Sequence, residues 1–411
     1  MKGKIYLSKV TEILKSIRLV FSLAIPYIIQ IIPRSSKIWV YGGRGGYFVD
    51  NTKYWFLWTT EHEPDIKHIW ISNDSATISM LRKRNLEAYK PFSMRGFYFI
   101  LRAKIVFYTH GATTIIRPVF LKTAIKFDFF HGIPLKTMGL GVTKTFQQQF
   151  DAKFKYTLSK KIYRYYKKKY VYNDYLVIPS KLFTKMFTDF SGERLFVGYP
   201  RNMVFQLGKK ELLKIINFSQ EGTHFYNEIK KYSRRYIYMP TFREGKPDFI
   251  KEAFKDLRTL NDLMIEQNAV LLLKLHPYTK TKVSFDEYSN LKIVNNQIDI
   301  YPFLPFIDCL ISDYSSISLD YYFSNNPIIF YVFDLNEFIK TSRALDFNPV
   351  QIANETTAQN WNDFLILLKN IDQLTLINDQ MGKELFASNL RPDLEKLSNI
   401  IKHDLLKLRS S

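Results

Sequence analysis

The sequence predicts a protein of two doubly wound α/β domains that face each other across a cleft, and three observations support this fold class. Short apolar runs alternate with amphipathic stretches along the 411 residues, which is the pattern of βα units. Several runs are apolar almost throughout, as in parallel strands that are buried on both faces. Polar clusters follow directly after four of these runs, at the strand ends where α/β proteins bind ligands.

The N-terminal half supplies six predicted strands and one clear helix. The runs that we interpret as strands lie at residues 37–41, 68–72, 105–109, 126–130, 175–179 and 195–198. A helix is predicted over residues 50–60, because Asp50 and Asn51 are both residue types favoured at helix N-termini. Together these elements predict one parallel sheet covered by helices.

The C-terminal half repeats this pattern after a polar, helical connection at residues 205–232. The strands of the second half are predicted at residues 236–239, 270–275, 291–294, 309–311 and 328–332, and a last helix at 384–408. We therefore divide the chain into an N-terminal segment of residues 1–33, a first domain of residues 34–205 and a second domain of residues 206–411.

The formal net charge of +21 lies entirely in the first half of the chain. Residues 1–200 contain 33 Lys and Arg against 12 Asp and Glu, whereas residues 201–411 contain 26 of each kind. Such a field attracts anionic partners, either membrane lipid or nucleic acid. A basic nucleic-acid-binding protein is therefore the alternative from a different functional class.

Two segments favour a membrane over nucleic acid. Residues 17–32 are apolar and follow a basic start, but they are shorter than the roughly 20 apolar residues that a membrane-spanning helix needs. Residues 153–170 contain eight Lys and Arg among aromatic and aliphatic residues and no acid, which is typical of a helix on anionic lipid. We predict peripheral attachment to an anionic membrane surface and expect no nucleic acid partner.

The single cysteine, Cys309, lies in the apolar run at residues 303–311. It cannot form an intramolecular disulfide, and a buried thiol is expected in such a strand. The absence of a disulfide framework favours a reducing, cytoplasmic compartment.

Two histidines stand at the ends of predicted strands, one in each half. His276 follows the strand at 270–275, and its imidazole can donate a hydrogen bond to a phosphoryl oxygen or transfer a proton. His131 follows the strand at 126–130, and the adjacent Gly132 allows the backbone to approach a partner closely. His131 would then reach the cleft from the opposite wall and serve as a general base.

A serine-rich turn at residues 312–316 follows the strand at 309–311 and precedes a predicted helix. Ser312, Ser315 and Ser316 would cap this helix or, together with its backbone N–H groups, hold a phosphate. Asp320, in the first turns of the helix, would orient a ligand hydroxyl or a catalytic partner.

Two arginines add positive charge at comparable positions. Arg201 and Arg243 each follow a proline at a strand end, and they would bind phosphate or serve as surface or inter-domain arginines. The glycines at 42–46 do not form a dinucleotide fingerprint, and the sequence contains no metal-ligand or nucleophile motif. The whole set suits a pyrophosphate substrate, and we predict neither a metal ion nor a cofactor.

The order of these clusters resembles that of the CDP-glycerol glycerophosphotransferase family, the bacterial enzymes that prime or polymerise teichoic acids and related capsule polymers. The matching motifs are DNTKY at 50–54, HGIPLK at 131–136, GYPRN at 198–202, PTFR at 240–243, KLHP at 274–277, SDYSS at 312–316 and PIIFYVFD at 327–334. Each motif alone is weak, but seven in one order make a specific match.

The resemblance implies two Rossmann-like domains in a glycosyltransferase-B-like fold, held peripherally on the cytoplasmic face of the cell membrane. It also implies transfer of glycerol phosphate from CDP-glycerol to a hydroxyl of a lipid-linked saccharide acceptor, with release of CMP, in teichoic acid or capsular polymer biosynthesis. The first domain would bind the acceptor and the membrane, and the second domain would bind the nucleotide donor.

The same resemblance implies roles for individual residues. His276, Ser315 and Ser316 would bind the pyrophosphate, and His131 is the candidate base. Asp320 matches an acidic position after the serine turn, and Lys136 joins the substrate-binding set as the cation of the HGIPLK motif. We expect a direct displacement at the β-phosphorus that rests on positioning and electrostatics, without a covalent enzyme intermediate.

Two nearer alternatives share this fold. The donor could be CDP-ribitol, or the protein could be a nucleotide-sugar glycosyltransferase, because a fold does not determine the group that is transferred. The sequence also leaves open whether the enzyme is a primase or a polymerase.

Overall fold

The protein consists of two parallel β-sheets with helices packed around them, which confirms the predicted α/β class. This computed structural model describes residues 27–133, 173–187, 190–243, 246, 248–279, 281–341, 348–374, 384–385 and 391–407. Three of the predicted features lie outside these residues: most of the N-terminal apolar run, the basic segment at 153–170 and Lys136.

The first sheet has seven parallel strands in the order β3-β2-β1-β4-β5-β6-β7. Its strands are β1 (Ser35–Gly42), β2 (Lys67–Ile71), β3 (Ala88–Tyr89), β4 (Ala103–Tyr108), β5 (Ile125–Asp128), β6 (Tyr175–Ile178) and β7 (Glu193–Phe196). All six predicted strands of this half are present. The two-residue edge strand β3 was not predicted, because two residues are too few to show a periodic pattern.

The second sheet has six parallel strands in the order β10-β9-β8-β11-β12-β13. Its strands are β8 (Arg234–Tyr238), β9 (Ala269–Leu273), β10 (Leu291–Ile293), β11 (Cys309–Ser312), β12 (Ile328–Tyr331) and β13 (Thr357–Ala358). Strand β9 is buried at all five positions, as its continuous apolar sequence predicts.

Twelve α-helices lie within the described ranges. They are α1 (Asp50–His62), α2 (Ser75–Arg82), α3 (Met94–Arg102), α4 (Lys209–Ile216), α5 (Gln220–Ile229), α6 (Ile250–Ala253), α7 (Leu257–Glu266), α8 (Ile317–Tyr321), α9 (Leu335–Thr341), α10 (Pro349–Ile352), α11 (Trp361–Lys369) and α12 (Leu394–Lys407). Polar side chains start several of them. The Gly96 N–H donates to the Ser93 hydroxyl at the start of α3, and the Asp363 N–H donates to the Asn360 side chain at the start of α11.

Both sheets reverse their strand order at a single point, between β1 and β4 in the first and between β8 and β11 in the second. At such a point the following loops diverge to opposite sides and leave a crevice at the carboxyl ends of the strands. The polar clusters of the sequence therefore follow strands at or near these two crevices.

The chain returns to the first half after completing the second sheet. Leu394, Leu397 and Ile401 of α12 are buried in an apolar cluster that also contains residues of the first sheet. The Asp393 N–H donates to the carbonyl of Val197 at 2.9 Å. The last helix thus packs on the first half, and the predicted domain boundaries at 33/34 and 205/206 stay a prediction.

Cys309 is fully buried in β11, where burial raises the pKa of its thiol. An unreactive structural thiol at this position agrees with the apolar run around it. Among the residues described here, the helices are too short or too polar to cross a bilayer.

Candidate active site

Three basic side chains lie along the cleft edge of the first sheet. Arg44 follows β1, His110 follows β4 and His131 comes shortly after β5. These three strands are adjacent and parallel, so their carboxyl ends meet at one edge. Arg44 is exposed in a tight turn, in which Gly45 has a φ of +63° that favours glycine.

The imidazole of His131 is exposed at the cleft and stacks on two neighbouring rings. Its centroid lies 4.1 Å from that of His110 and 4.3 Å from that of Phe130. The surrounding protein removes water that would stabilise the charged imidazolium, and this desolvation is the main cause that lowers the pKa of His131. The carboxylate of Asp50 acts in the opposite direction. The pKa of His110 falls further, to about 3, through burial and the proximity of His131. Both imidazoles are therefore neutral near neutral pH, as a general base must be.

Arg201 is a buried cation between the two halves in this structure, as in the inter-domain alternative, and its contact with substrate stays a prediction. Its side chain is only 4% exposed. One terminal nitrogen, Nη1, donates to Asp50 at 2.8 Å and to the carbonyl of His131 at 2.9 Å, and Nη2 donates to Asp320 at 2.6 Å. These hydrogen bonds connect residues of the site to one another, and the Arg201 guanidinium is directed at these partners rather than into the cleft.

Asp320, predicted as a catalytic residue, is also enclosed. It is 1% exposed and accepts hydrogen bonds from Arg201, from Asn202 at 2.8 Å and from the Tyr301 hydroxyl at 2.8 Å. Three donors occupy this carboxylate, so we assign Asp320 to the support of the site instead of to contact with substrate. The prediction that it orients a catalytic partner is consistent with its bond to Arg201.

Arg243 likewise lies inside the second half and not in the cleft. It is 3% exposed, forms two hydrogen bonds to Asp334 at 2.6 and 2.9 Å, and forms a third to Asp313 at 2.7 Å. In this structure Arg243 is therefore the centre of a buried ion-pair cluster, and its role in binding phosphate stays a prediction. The sequence could not reveal this role, because Asp313 and Asp334 lie 70 and 91 residues away.

The serine turn divides into one buried and two accessible members. Ser312 is fully buried and donates to the carbonyl of Met239 at 3.0 Å, so it has a structural contact here, and its contact with substrate stays a prediction. Ser315 and Ser316 are half-buried at the start of α8. A Cβ atom on Gly132 would lie 2.8 Å from the Ser316 hydroxyl oxygen, so the loop of His131 and the serine turn are in close contact.

His276 follows β9 in the second half, and its local hydrogen bond defines its tautomer. The Tyr278 N–H donates to Nδ1 of His276 at 3.2 Å, so this nitrogen carries the lone pair and Nε2 carries the proton. The ring lies 5.4 Å from that of Phe242. A neutral Nε2–H is a hydrogen-bond donor suited to a phosphoryl oxygen.

Lys274 and Arg44 are two cations that sequence reasoning did not select as site residues. Lys274 donates to the carbonyl of Asn295 at 2.7 Å, and burial lowers its pKa to about 8. Asp299 raises this pKa and Arg44 lowers it, so the two cations from opposite halves act on one another. The signals in the sequence were that each charge stands at the end of a strand and that Lys274 belongs to the KLHP motif.

His110, Asp50 and Asn51 were also missed as site residues. Asp50 and Asn51 belong to the DNTKY motif, but they were interpreted only as helix-starting residues. Asp50 also has a φ of +66° and a carboxylate whose pKa lies below its ordinary value, because its attraction to Arg201 and the hydrogen bond from Arg201 outweigh desolvation. These roles depend on contacts between distant segments, which the sequence pattern does not contain.

Within the described ranges, no three His, Cys, Asp or Glu side chains come together in a way that could hold a metal ion. The contribution of Lys136 stays a prediction, since it lies outside those ranges. The residues brought together are His131, Ser315 and Ser316 at the contact of the two halves, with His276 at the end of a strand of the second sheet.

Comparison with known proteins gives one consistent result. The family described as CDP-Glycerol:Poly(glycerophosphate) glycerophosphotransferase matches residues 29–386. A teichoic acid glycerol-phosphate transferase of Staphylococcus aureus is 25% identical over 366 residues, which cover 84% of this chain and 86% of that protein. A teichoic acid poly(glycerol phosphate) polymerase of Bacillus spizizenii is 24% identical over 357 residues and 82% of each chain.

The fold agrees with this assignment. The solved structure of the wall teichoic acid polymerase TagF matches with a TM-score of 0.71 at 20% identity, and the match covers 98% of both chains. The two facing Rossmann-like domains are those of a glycosyltransferase-B-like fold, as predicted. The chain therefore belongs to the CDP-glycerol:poly(glycerophosphate) glycerophosphotransferase family and is an enzyme of teichoic acid synthesis.

Proposed function

We propose that the enzyme transfers glycerol phosphate from CDP-glycerol to a hydroxyl of a lipid-linked saccharide acceptor and releases CMP. The observation that carries this proposal is the contact between the His131 loop and the serine turn, because it brings a neutral imidazole close to a turn whose hydroxyls and backbone N–H groups can bind phosphate. Family membership supports CDP-glycerol as the donor.

His131 takes the proton of the acceptor hydroxyl while that oxygen bonds to the β-phosphorus of the donor. The bond between this phosphorus and the bridging oxygen breaks, and the bridging oxygen leaves with CMP. The proton then passes from His131 to solvent. Catalysis of this kind rests on positioning and on stabilisation of charge at the leaving group.

The pyrophosphate of the donor would be bound by groups from both halves. The Nε2–H of His276 and the hydroxyls of Ser315 and Ser316 can donate hydrogen bonds to the pyrophosphate oxygens. Arg44 and Lys274 add positive charge, and their mutual repulsion is relieved when an anion binds between them.

The direct test is CMP release from CDP-glycerol, and separately from CDP-ribitol, with a panel of lipid-linked disaccharide acceptors. Acceptor-dependent CMP from one donor would name the polyol, and the length of the product would separate primase from polymerase. The variant His131→Gln should lose turnover, whereas His62→Gln, at the exposed end of α1, should retain it. Release of a nucleoside diphosphate from a nucleotide sugar, with no CMP from either donor, would contradict the proposal.

We also propose that the protein attaches peripherally to anionic lipid on the cytoplasmic face of the cell membrane. Support comes from a set of exposed, large apolar side chains in the first half, which we name the α3 patch. It consists of Tyr27, Ile28, Ile31, Phe92, Met94 and Tyr98. Met94 is 93% exposed and Ile31 is 80% exposed, which is unusual for large apolar side chains unless they meet a partner.

Basic residues surround the α3 patch. Lys90 and Arg95 are exposed beside it, and the Nζ atom of Lys122 lies 5.6 Å from the ring centroid of Tyr27. Apolar anchors with neighbouring cations are the combination that binds anionic headgroups while inserting side chains at the lipid surface. Phe92, Met94 and Tyr98 of this patch support membrane attachment independently of the segments at 17–32 and 153–170.

Co-sedimentation with vesicles tests the α3 patch. The double variant Met94→Asp and Tyr98→Asp should lose binding to vesicles that contain anionic lipid. Ile265→Asp and Ile366→Asp are the matched control, because both residues are exposed and apolar but lie in the second half. Full binding by the first variant, or preferential binding of the protein to RNA or DNA over vesicles, would contradict this proposal.

A further inference from the structure

The three consecutive carbonyls of Phe129, Phe130 and His131 are all hydrogen-bonded by side chains from elsewhere in the chain. Asn51 Nδ2 donates to Phe129 at 3.3 Å and to Phe130 at 2.9 Å. Arg201 Nη1 donates to His131 at 2.9 Å. These two side chains come from the start of α1 and from the loop after β7, so the loop that carries His131 is fixed from two sides.

Asn51 and Arg201 are themselves joined, which closes the arrangement. The backbone N–H of Arg201 donates to Oδ1 of Asn51 at 3.2 Å, and Asp50 accepts from the Arg201 guanidinium at 2.8 Å. Asn51 is fully buried and Arg201 is nearly so. Each therefore stabilises the other in the orientation that the carbonyls require.

The loop needs this support because its backbone conformation is unfavourable. Phe130 has a φ of +52°, a left-handed conformation that a bulky residue rarely adopts. Its N–H donates to Asp128 at 2.9 Å, so the conformation is held from this side as well. Strain of this kind persists only where the surroundings impose it, and it is commonly found at functional sites.

We propose that Asn51 and Arg201 are positioning residues that hold His131 in its catalytic orientation, and that Arg201 makes this orientation depend on the second half through Asp320. The inference rests on the proposed function in treating His131 as the base. Arg201 bonds His131 at one terminal nitrogen and Asp320 at the other. A displacement of α8 relative to the first sheet would therefore be transmitted to the His131 loop.

Four charged or titratable groups face His131 from the elements around it. They are Arg44 after β1, Asp50 at the start of α1, His110 after β4 and Arg201 after β7. Asp50 attracts the imidazolium, whereas the two arginines repel it. Moving the ring would change these contributions together, so its position and its basicity are linked.

The test uses Arg201→Lys and Asn51→Ser in the full chain. Lysine keeps the positive charge of Arg201 but cannot reproduce its planar fork of donors. Serine removes the two N–H donors of the Asn51 side chain without adding charge. Asn51→Ser therefore still tests the inference if Arg201→Lys does not fold. Arg34→Lys is the matched control, because Arg34 also donates to three carbonyls, those of Ile100, Ala103 and Phe120, at the opposite end of the first sheet from the cleft.

Two readouts separate positioning from folding. The kcat for CMP release should fall roughly a hundredfold in both test variants while the KM for CDP-glycerol stays unchanged. In protein labelled with 13C-histidine, the ring resonances of His131, assigned by their loss in His131→Gln, should move because stacking on His110 and Phe130 is lost. Arg34→Lys should lower the melting temperature but leave kcat and these resonances unchanged.

Folded test variants with unchanged kcat and unchanged His131 resonances would overturn the inference, as would an equal loss of kcat in Arg34→Lys. The resonances report on the loop without any substrate. If they move but the wild type releases no CMP, the positioning of His131 stands and the proposed function fails. If the wild type releases CMP and the resonances do not move, the inference fails alone.

Discussion

At the edge of the first sheet, the acidity of His131 is set by opposing neighbours. Loss of hydration and the nearby Arg201 and Arg44 lower the pKa of this imidazole, and Asp50 raises it. The balance leaves the folded-state pKa below the ordinary value for histidine, so the ring is already neutral where a free histidine would still be partly charged.

This balance predicts the pH dependence of the reaction. A base must be unprotonated, so kcat/KM should rise as pH increases through the pKa of His131, and the midpoint should lie below about 6.5, the ordinary histidine value. In Asp50→Asn the attraction for the imidazolium is lost, so the midpoint should shift to lower pH. Initial rates of CMP release over a pH series measure both. A midpoint at or above the ordinary value in the wild type would show that a different group titrates.

The two buried arginines show why residue roles were harder to predict than residue positions. Arg201 and Arg243 stand at strand ends, as the sequence indicated, but their partners lie between 70 and 151 residues away. An exposed arginine in a cleft and a buried one in an ion pair have the same local sequence. Only the fold distinguishes them, because burial demands that the charge be paired.

Arg243 therefore predicts a loss of stability rather than of substrate affinity. Arg243→Met leaves Asp313 and Asp334 buried without their partner, which should cost about 3–5 kcal/mol in the free energy of unfolding. Arg235→Met, which breaks a more exposed pair with Asp308, should cost about 1 kcal/mol or less. Urea denaturation measures both. An Arg243 variant of normal stability with a raised KM for CDP-glycerol would support the phosphate-binding role instead.

At the scale of single elements, the sequence predicted the positions of the strands well. For the loops it predicted only where each one begins and ends. The nearly continuous apolar runs of β9 and β12 leave little choice of structure. The edge strands β3 and β13 have two residues each and carry no pattern. The contact between the His131 loop and the serine turn joins residues far apart in the chain, so the sequence could predict that both face a cleft but not that they touch.

Gly132 is the point where these two loops meet, and it offers a clean comparison with Gly111. Both have positive φ, +139° and +81°, so alanine is strained at either position. A Cβ on Gly132 would also meet Ser316 Oγ at 2.8 Å and Arg201 Nη2 at 3.1 Å, whereas one on Gly111 would meet nothing within 4 Å. Gly132→Ala should lower kcat roughly a hundredfold through displacement of His131, and Gly111→Ala should not.

Turnover assays and thermal melts of the two variants separate the causes. Strain alone should cost each about 1–3 kcal/mol in stability. Equal losses of kcat in both variants would mean that backbone strain, and not the contact between the loops, causes the loss of activity.

At the scale of the whole molecule, the two sheets form one structure around the cleft. Lys53 and Tyr54 of the first half bond Asp299 of the second at 2.7 and 2.8 Å, and Arg201 and Asn202 bond Asp320. A single apolar cluster contains residues of both sheets and of α12. The halves should therefore unfold together.

Leu397 of α12 tests this coupling, because it is fully buried in that cluster with Trp39, Trp55 and Trp70. Leu397→Ala should lower the free energy of unfolding by about 2–5 kcal/mol, whereas the exposed Leu182→Ala should change it by about 0.5 kcal/mol or less.

The tryptophans make the measurement specific to one half. Four of the five tryptophans lie in the first half, so in a Trp361→Phe background the fluorescence reports on that half and circular dichroism on both. The two signals should share one midpoint in each variant. Separate midpoints would show that the halves unfold independently.

The burial of the chain's single thiol has a practical consequence for measuring motion. Cys309 is buried inside β11, so cysteines introduced at the surface would be the only ones that a labelling reagent reaches. Tyr47, beside the Arg44 turn, and Tyr278, beside His276, are exposed on the first and second halves. A pair of spin labels at these two positions would report the width of the cleft in solution, and its distribution with and without nucleotide would show how far the halves travel in each catalytic cycle.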